Sequence, residues 1–562
     1  MWMQNKVDSQ NHFKLERKLI IKSLKQCDEI DHQEVDSIDK LYQYLMYQKT
    51  KLVQDVHGVD LNKIKEFITH IYIKKEIDKE NWWFFEIGIP RAISEIIIVS
   101  FDHWDKDEIN EVISTIRYFS SDYHFVFARH QRFSLEKSTG ANLLELMYVH
   151  ILLDKIEDKF DEKAYIGALE NALQYVTEGD GFYEDGSFIQ HKVIPYNGSY
   201  GLVFLNYIYL VSSLLFEQHH SESVKQFIKM VLIKSFIPLI NDNYLIDITS
   251  GRSVSRKNYD AYEIAKSIKG LAVDLSNLFQ FQLDLDNKGY FVFNQMKRYI
   301  SKDHSIIGIA LSGDNIHSHE TMNGENIKGL YQGIGYVTYG LDDLYEPYGY
   351  HLLVNPSYQI GVTNSLSSVD QIQGLKVKSL ISKGTKFEQG VFVSYGYIDP
   401  LTEILINKTY ITYDQELIML ITAPNHFHTT LYHHFDVEQV VLDHNQFSIK
   451  RKQHQIYFKT SEKVCHKESL VNKSFHEINL NESEKTQISA KANYGFMLQI
   501  SANTYYQMSF KETFNQFEII AQNSSVHHMK VGKFHFISKF DDEEYIFNHQ
   551  LFNQVGQIVI KD

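Results

Sequence analysis

The sequence predicts an α+β multidomain protein with two unlike halves: an array or toroid of helices first, then antiparallel β-sheets. Two observations carry this. Up to about residue 290 apolar residues recur at helical spacing, and beyond it the period falls to two. Leu146, Val149, Leu153 and Ile156 make one apolar stripe, and 60–77, 91–101, 164–176, 202–216 and 223–237 read as further helices joined by short polar or Gly-bearing links. So many successive helices suit an array better than a small bundle. In the second half, 391–395, 454–458, 496–500 and 557–560 read as strands, punctuated by Asn, Asp and Gly, and no proline follows Pro424. The expected division is 1–290 helical, 291–480 a central antiparallel sandwich and 481–562 a C-terminal β domain.

Composition narrows the function. Hydrophobic residues at 43% and charged residues at 23% exclude a mostly disordered chain. The 36 Tyr, 36 Phe and 4 Trp either fill strands and cores or offer faces to sugar rings. Asp plus Glu is 71 against 56 Lys plus Arg, a net charge of -15 with no basic run, which argues against a nucleic-acid partner. A local arginine cluster could still meet an acidic polymer. Cys27 and Cys465 stand far apart, so neither a disulfide framework nor a cysteine zinc site is expected. His426, His428, His433 and His434 cluster without metal-site spacing, so no metal is expected. The N-terminus shows no export signal, and the most apolar stretch, 202–216, is interrupted by Asn206, Ser212 and Ser213 and reads as a core helix. The expectation is a chain that is not in the membrane, cytoplasmic or without its leader, and monomeric.

Four segments interrupt the regular patterns with polar groups. Asn81-Trp82-Trp83 leads into Glu86-Ile87-Gly88-Ile89-Pro90-Arg91, where paired Trp rings either form a sugar platform or plug helices together. In Thr139-Gly140-Ala141-Asn142, Asn142 reads most simply as a helix cap. A long Gly-punctuated loop runs from Gly179 through Asp180-Gly181-Phe182-Tyr183 and His191 to Tyr200-Gly201, and loops of this length in compact domains are often functional. Gly251-Arg252 with Ser255-Arg256 sets two guanidinium groups four residues apart, either solvated or turned to a carboxylate. No P-loop, dinucleotide glycine motif or serine elbow is present.

In this order, and joined by Asn323-Gly324-Glu325-Asn326 with Gly329 and Gly333, these segments resemble the polysaccharide lyase family that contains hyaluronate, chondroitin AC and xanthan lyases. The resemblance covers about residues 75–360. It implies an incomplete α/α toroid followed by antiparallel β-sandwich domains. It also implies β-elimination on a uronic-acid glycan of hyaluronan or chondroitin type, without metal or organic cofactor. Carried over residue by residue, Asn142 would disperse charge on the uronate carboxylate, and His191 or ionised Tyr200 would take the C5 proton. The Tyr200 hydroxyl is the family's usual donor to the leaving oxygen. Arg252 and Arg256 would favour tyrosinate, and Glu325 would fix an arginine or the tyrosine. Trp82, Trp83, Arg256 and Asn326 would bind substrate.

The sequence also departs from the family. Phe84 stands where Asp is frequent; Ser312-Gly313-Asp314-Asn315-Ile316-His317-Ser318-His319-Glu320 replaces a segment with an Arg and a Tyr-Glu pair; and Gln359-Ile360-Gly361-Val362-Thr363-Asn364 replaces a Gly-Thr-Thr ending. These changes bear on substrate choice. The rival readings are a xanthan or other acidic-glycan lyase, a non-catalytic glycan-binding protein on this scaffold, and a glycoside hydrolase. The last would need two flanking carboxylates, of which only Glu325 is placed by motif.

Overall fold

The structure is a computed structural model that describes residues 13–24, 27–55, 58–74, 81–126, 135–216, 221–256, 258–303, 305–340, 351, 356–365, 376–435, 439–443, 445–451, 454–461, 464–474, 487–499 and 503–561. The chain divides into two compact units. Met1–Gln174, Val203–Phe227 and Asn277–Gln280 form the first, and Tyr175–Leu202, Ile228–Ser276 and Phe281–Asp562 the second. Helices come first and antiparallel sheets after, as the two periods predict.

In the first unit the helices Ile38–Gln54, Ile89–Val99 and Lys106–Phe119 bury a continuous apolar cluster that includes Leu41, Leu45, Ile93, Ile96, Ile113 and Ile116. Helix Gly140–Ile156 does not show the single stripe expected of it. Leu144, Met147, Tyr148, Ile151 and Leu152 are buried along with Leu146, Val149 and Leu153. A helix that is apolar all round lies inside the protein rather than on its surface. Charges buried here are matched: Lys49 Nζ donates to Glu95 at 2.5 Å, and the Tyr148 hydroxyl donates to the same carboxylate at 3.3 Å. Two of the expected helices change pitch. Leu61–Phe67 passes into a π-turn at Ile68–Ile73, and Glu222–Val231 into another at Leu232–Phe236; residues 75–77 lie outside the described residues. The run Asn197–Leu215 is long and apolar enough to cross a membrane, but 67% of its apolar window is buried inside the structure, as in a core helix.

The second unit holds the sheets. One four-stranded sheet orders Tyr336–Gly340, Ile306–Ala310, Arg298–Lys302 and Gly289–Phe293. An eight-stranded sheet starts with the meander Ser379–Phe387, Gly390–Ile398, Leu405–Tyr413 and Glu416–Thr422, then continues through Asn503–Ser509. Phe387, Phe392, Ile411 and Ile418 from this sheet share one core with Met529, Val531, Phe534 and Phe536 of the last sheet. The expected boundary at residue 480 lies outside the described residues; on either side of it Gln487–Gln499 pairs with Val464–Ser474, and the separate C-terminal sheet begins at Phe517. Each quoted strand segment falls in a strand, with Ile500 outside the described residues.

Candidate active site

In the second unit a tight turn presents His191. His191 and Lys192 both adopt left-handed backbone conformations (φ 55° and 66°) between the short strands Phe188–Gln190 and Ile194–Pro195. Asp180 clamps this turn. Its Oδ1 accepts the Lys192 N–H at 2.6 Å, and its Oδ2 accepts the Gln190 amide at 2.9 Å. The Asp-Gly-Phe-Tyr sequence therefore acts through Asp180, which holds the histidine from behind.

Tyr200 sits in a π-turn, Asn197–Gly201, a wide turn that recurs at functional sites. Asn197, fully buried, anchors the turn by donating to the Ser235 carbonyl at 2.8 Å. The Tyr200 ring centroid is 5.0 Å from that of His191 and 4.9 Å from that of Tyr196, both edge-on.

Arg252 joins these groups. It lies in the 3₁₀ turn Gly251–Ser255 and is 3% exposed. Nη2 donates to the Tyr200 hydroxyl at 3.3 Å, Nη1 donates to the Tyr196 hydroxyl at 3.1 Å and to Glu320, and Nε donates to Glu325. Arg256 makes a second, two-pronged contact with Glu325, at 2.6 and 3.0 Å. Glu325 thus lies between two arginines. Burial works to raise its carboxyl, but the Arg256 and Arg252 contacts outweigh this and hold it below the usual range.

In the sequence Glu320 is only the last residue of the departing segment 312–320. In the structure it is the hub, accepting from His191 Nδ1, the Tyr196 hydroxyl and Arg252. Burial opposes its ionisation, yet its bonds to His191 and Arg252 bring it down to about 2, so it is a carboxylate at neutral pH. An ionised partner fixes the tautomer of a neutral His191: Nδ1 carries the proton and Nε2 is left as the acceptor. Asn326, expected on the substrate, is 1% exposed and faces inward. Its amide exchanges two hydrogen bonds with Gln332, at 2.8 and 2.9 Å, and donates to the Glu320 carbonyl at 3.3 Å. It braces the loop that carries Glu320 and Glu325. Among the described residues no group of three or more His, Cys, Asp or Glu is arranged to hold a metal ion.

The remaining residues lie in the first unit. Asn142 is not the cap of helix Gly140–Ile156. Thr139 holds that place in an extended conformation, and Asn142 is the third helical residue, half-buried. The tryptophans do not make one flat platform, because neighbours on a helical turn point in different directions. Trp83 Nε1 donates to Glu145 at 3.4 Å, its ring lies 5.8 Å from the Arg91 guanidinium, and the Tyr42 ring meets it edge-on at 5.3 Å. Arg91 in turn reaches Tyr42 at 2.6 Å, Glu145 at 3.4 Å and Tyr207. Gly88 leaves room for the indole, since a Cβ there would lie 2.6 Å from the ring. Trp82 is half-buried beside Ile87, Val126 and Leu146.

Comparison with known proteins agrees with the sequence pattern and the fold. The hyaluronate lyase of Staphylococcus aureus is 25% identical over 373 residues, covering 53% of this chain and 46% of that protein. The xanthan lyase of Bacillus sp. strain GL1 is 24% identical over 309 residues, covering 45% and 31%. The chain thus spans less than half the length of these curated relatives. Among solved structures, the chondroitin AC lyase of Streptomyces coelicolor A3 in complex with chondroitin sulphate superposes over 100% of this chain and 87% of that one, with a TM-score of 0.75 and 16% identity. A Paenibacillus xanthan lyase gives a TM-score of 0.74 over 99% and 62%, also at 16% identity. Residues 10–282 match the family described as polysaccharide lyase family 8, N-terminal alpha-helical domain. The helical part of the chain thus matches the N-terminal domain of polysaccharide lyase family 8, and the fold of the whole chain is that of these lyase structures.

Proposed function

We propose that this protein cleaves uronic-acid glycans of hyaluronan or chondroitin type by β-elimination. The observation that carries the proposal is the single network in which two proton-transfer groups are linked, His191 through Glu320 to Arg252 and Arg252 to Tyr200. In the reaction the C5–H bond breaks and its proton passes to a base, His191 Nε2 or the Tyr200 oxygen. The C5 electron pair forms the C4–C5 double bond, and the C4–O bond breaks. The leaving oxygen takes a proton from the Tyr200 hydroxyl. Arg252, bonded to that hydroxyl, stabilises negative charge on it during transfer. Glu325 holds Arg252 and Arg256 in place, and Arg256 is the more exposed of the two toward an anionic substrate. Asn142 would supply the neutral donor to the uronate carboxylate, and Trp82 would offer an apolar face to a sugar ring; both roles rest on the family resemblance.

The relatives named hyaluronate lyase support the glycosaminoglycan reading, and those named xanthan lyase, with the departing segment 312–320, support a second acidic glycan as the alternative. The test is a panel of hyaluronan, chondroitin and its sulfates, xanthan, alginate and heparin, followed by near-ultraviolet absorbance. Elimination leaves an absorbing unsaturated uronate and hydrolysis does not. Absence of new absorbance from every polymer and from its short oligosaccharides would overturn the proposal.

A further inference from the structure

Two tyrosines four residues apart share one arginine, and their surroundings differ. Tyr200 is half-buried and its hydroxyl receives a single bond from Arg252. Tyr196 is fully buried and its hydroxyl is saturated: it donates its only proton to Glu320 and accepts from the Arg252 backbone N–H at 3.2 Å and from Nη1 at 3.1 Å. A phenol oxygen has one proton to give and two lone pairs to share, so nothing remains for a substrate. Burial first, and Glu320 second, push its ionisation well above the ordinary tyrosine range.

The backbone is shaped around this ring. Gly251 has φ 54°, and a Cβ there would sit 2.1 Å from the Tyr196 ring. The residue before Arg252 is therefore a glycine in close contact with the very ring whose hydroxyl binds Arg252. Tyr196 grips the Arg252 turn through ring contact, backbone N–H and side chain together.

We propose that Tyr196 is a positioning residue for the elimination: its neutral hydroxyl sets the pitch of Arg252 between Glu320 and Tyr200, so that Nη2 points at the proton-transfer oxygen. This rests on the lyase reading above. With the hydroxyl removed, Glu320 loses a donor and the Arg252 N–H loses its acceptor. The guanidinium is then free to settle on the two carboxylates, Glu320 and Glu325, and away from Tyr200. The charged and titratable groups around it are His191, Tyr200, Arg252, Arg256, Glu320 and Glu325.

The test is Tyr196→Phe, which keeps the ring in its slot. Three results are expected on the polymer that the wild type cleaves best. Turnover falls about 10- to 100-fold, the kinetic equivalent of one hydrogen bond to a charged group; KM stays within about two-fold, since Tyr196 touches no substrate; and the pH–rate profile moves to higher pH, because Glu320 is less compensated and a second negative charge at the site costs more. Hydrogen exchange over Gly251–Ser255 should also speed up, as the Arg252 amide loses its acceptor. Full turnover with an unmoved pH profile overturns the proposal, as does a variant whose losses all follow a fall in folded fraction and reverse at lower temperature. If the wild type cleaves no acidic glycan, the lyase reading fails by itself, and the exchange arm still decides Tyr196: unchanged exchange at Gly251–Ser255 means that it does not hold Arg252.

Discussion

At the scale of single residues, the site divides into groups that meet substrate and groups that hold them. Tyr200→Phe keeps the ring contacts with His191 and Tyr196 and removes the one transferable proton. The variant should fold and bind substrate but lose turnover by roughly 10²–10⁴-fold, the range for one acid–base group; appreciable wild-type-like turnover would remove Tyr200 from the chemistry. Arg252→Ala should cost roughly 2–4 kcal/mol of transition-state stabilisation, the scale of one preorganised electrostatic group, read from kcat/KM. The two tryptophans should separate. Trp83→Ala opens a cavity among Gly88, Arg91, Tyr42 and Glu145 and should lower the melting temperature, whereas Trp82→Ala should mainly raise KM for polymer. Equal effects of both changes on KM, with no loss of stability, would restore the picture of a paired platform. Much of this was legible in sequence order, because the motif residues His191, Tyr200, Arg252 and Glu325 do fall in one unit and touch a common network. Glu320 was not legible: it lies 129 residues from His191, and no local spacing links a carboxylate to a partner so far along the chain. Tyr196 was one tyrosine among several in its loop, and only its buried hydroxyl sets it apart.

At the scale of elements, sequence reading does best where the signal is local. Helices and strands appear because periods of 3.6 and two survive in the residue order. Pitch changes do not announce themselves. The π-turn at Phe84–Gly88 widens a helical run and the one at Asn197–Gly201 opens the helix Leu202–Leu215, and each carries or adjoins a predicted site residue, Trp83 or Tyr200. The reading of Asn142 as a cap failed for the opposite reason: Thr139, Gly140 and Asn142 can all begin a helix, and only the backbone angles choose Thr139. Sheet membership is non-local, so a boundary drawn at residue 480 cannot foresee that Gln487–Gln499 pairs back onto Val464–Ser474. The Gly251–Ser255 turn is an element whose sequence requirement can be tested. Gly251→Ala meets both a left-handed φ and the Tyr196 ring, and should lose at least about 2 kcal/mol of stability by thermal or denaturant unfolding. A variant as stable as the wild type would mean that the turn relaxes away from Tyr196.

At the scale of the whole molecule, buried histidines tie stability to pH in both units, His150 and His527 among them. His150, in the first, is held neutral by burial and then by Arg117, with its ionisation brought down to about 4; its ring nitrogens meet Arg117 and Ser120, each at 3.1 Å. His527, in the second, is brought down by burial to about 3, between the hydroxyls of Thr409 at 3.0 Å and Thr422 at 2.8 Å. Unfolded, each would titrate near 6.5. Between pH 6.5 and about 4 the unfolded chain therefore binds one more proton per histidine than the folded chain, and mass action favours unfolding as pH falls. The slope is about 1.4 kcal/mol per pH unit for each group. Glu320 acts in a lower window. Its folded value near 2 lies below that of an unfolded carboxylate, so its contribution is intact at pH 6 and is lost only as the pH falls below about 4. Acid should thus loosen both units before it protonates the hub of the site. Denaturant unfolding of the wild type at pH 7, 6 and 5 should show stability falling across the series. His527→Gln keeps polar contact with the threonines and cannot gain the proton, so it should flatten that fall in the second unit by about 1.4 kcal/mol per pH unit. Parallel slopes for the variant and the wild type would mean that His527 titrates alike in the folded and unfolded chains, and that the acid sensitivity of the second unit arises elsewhere.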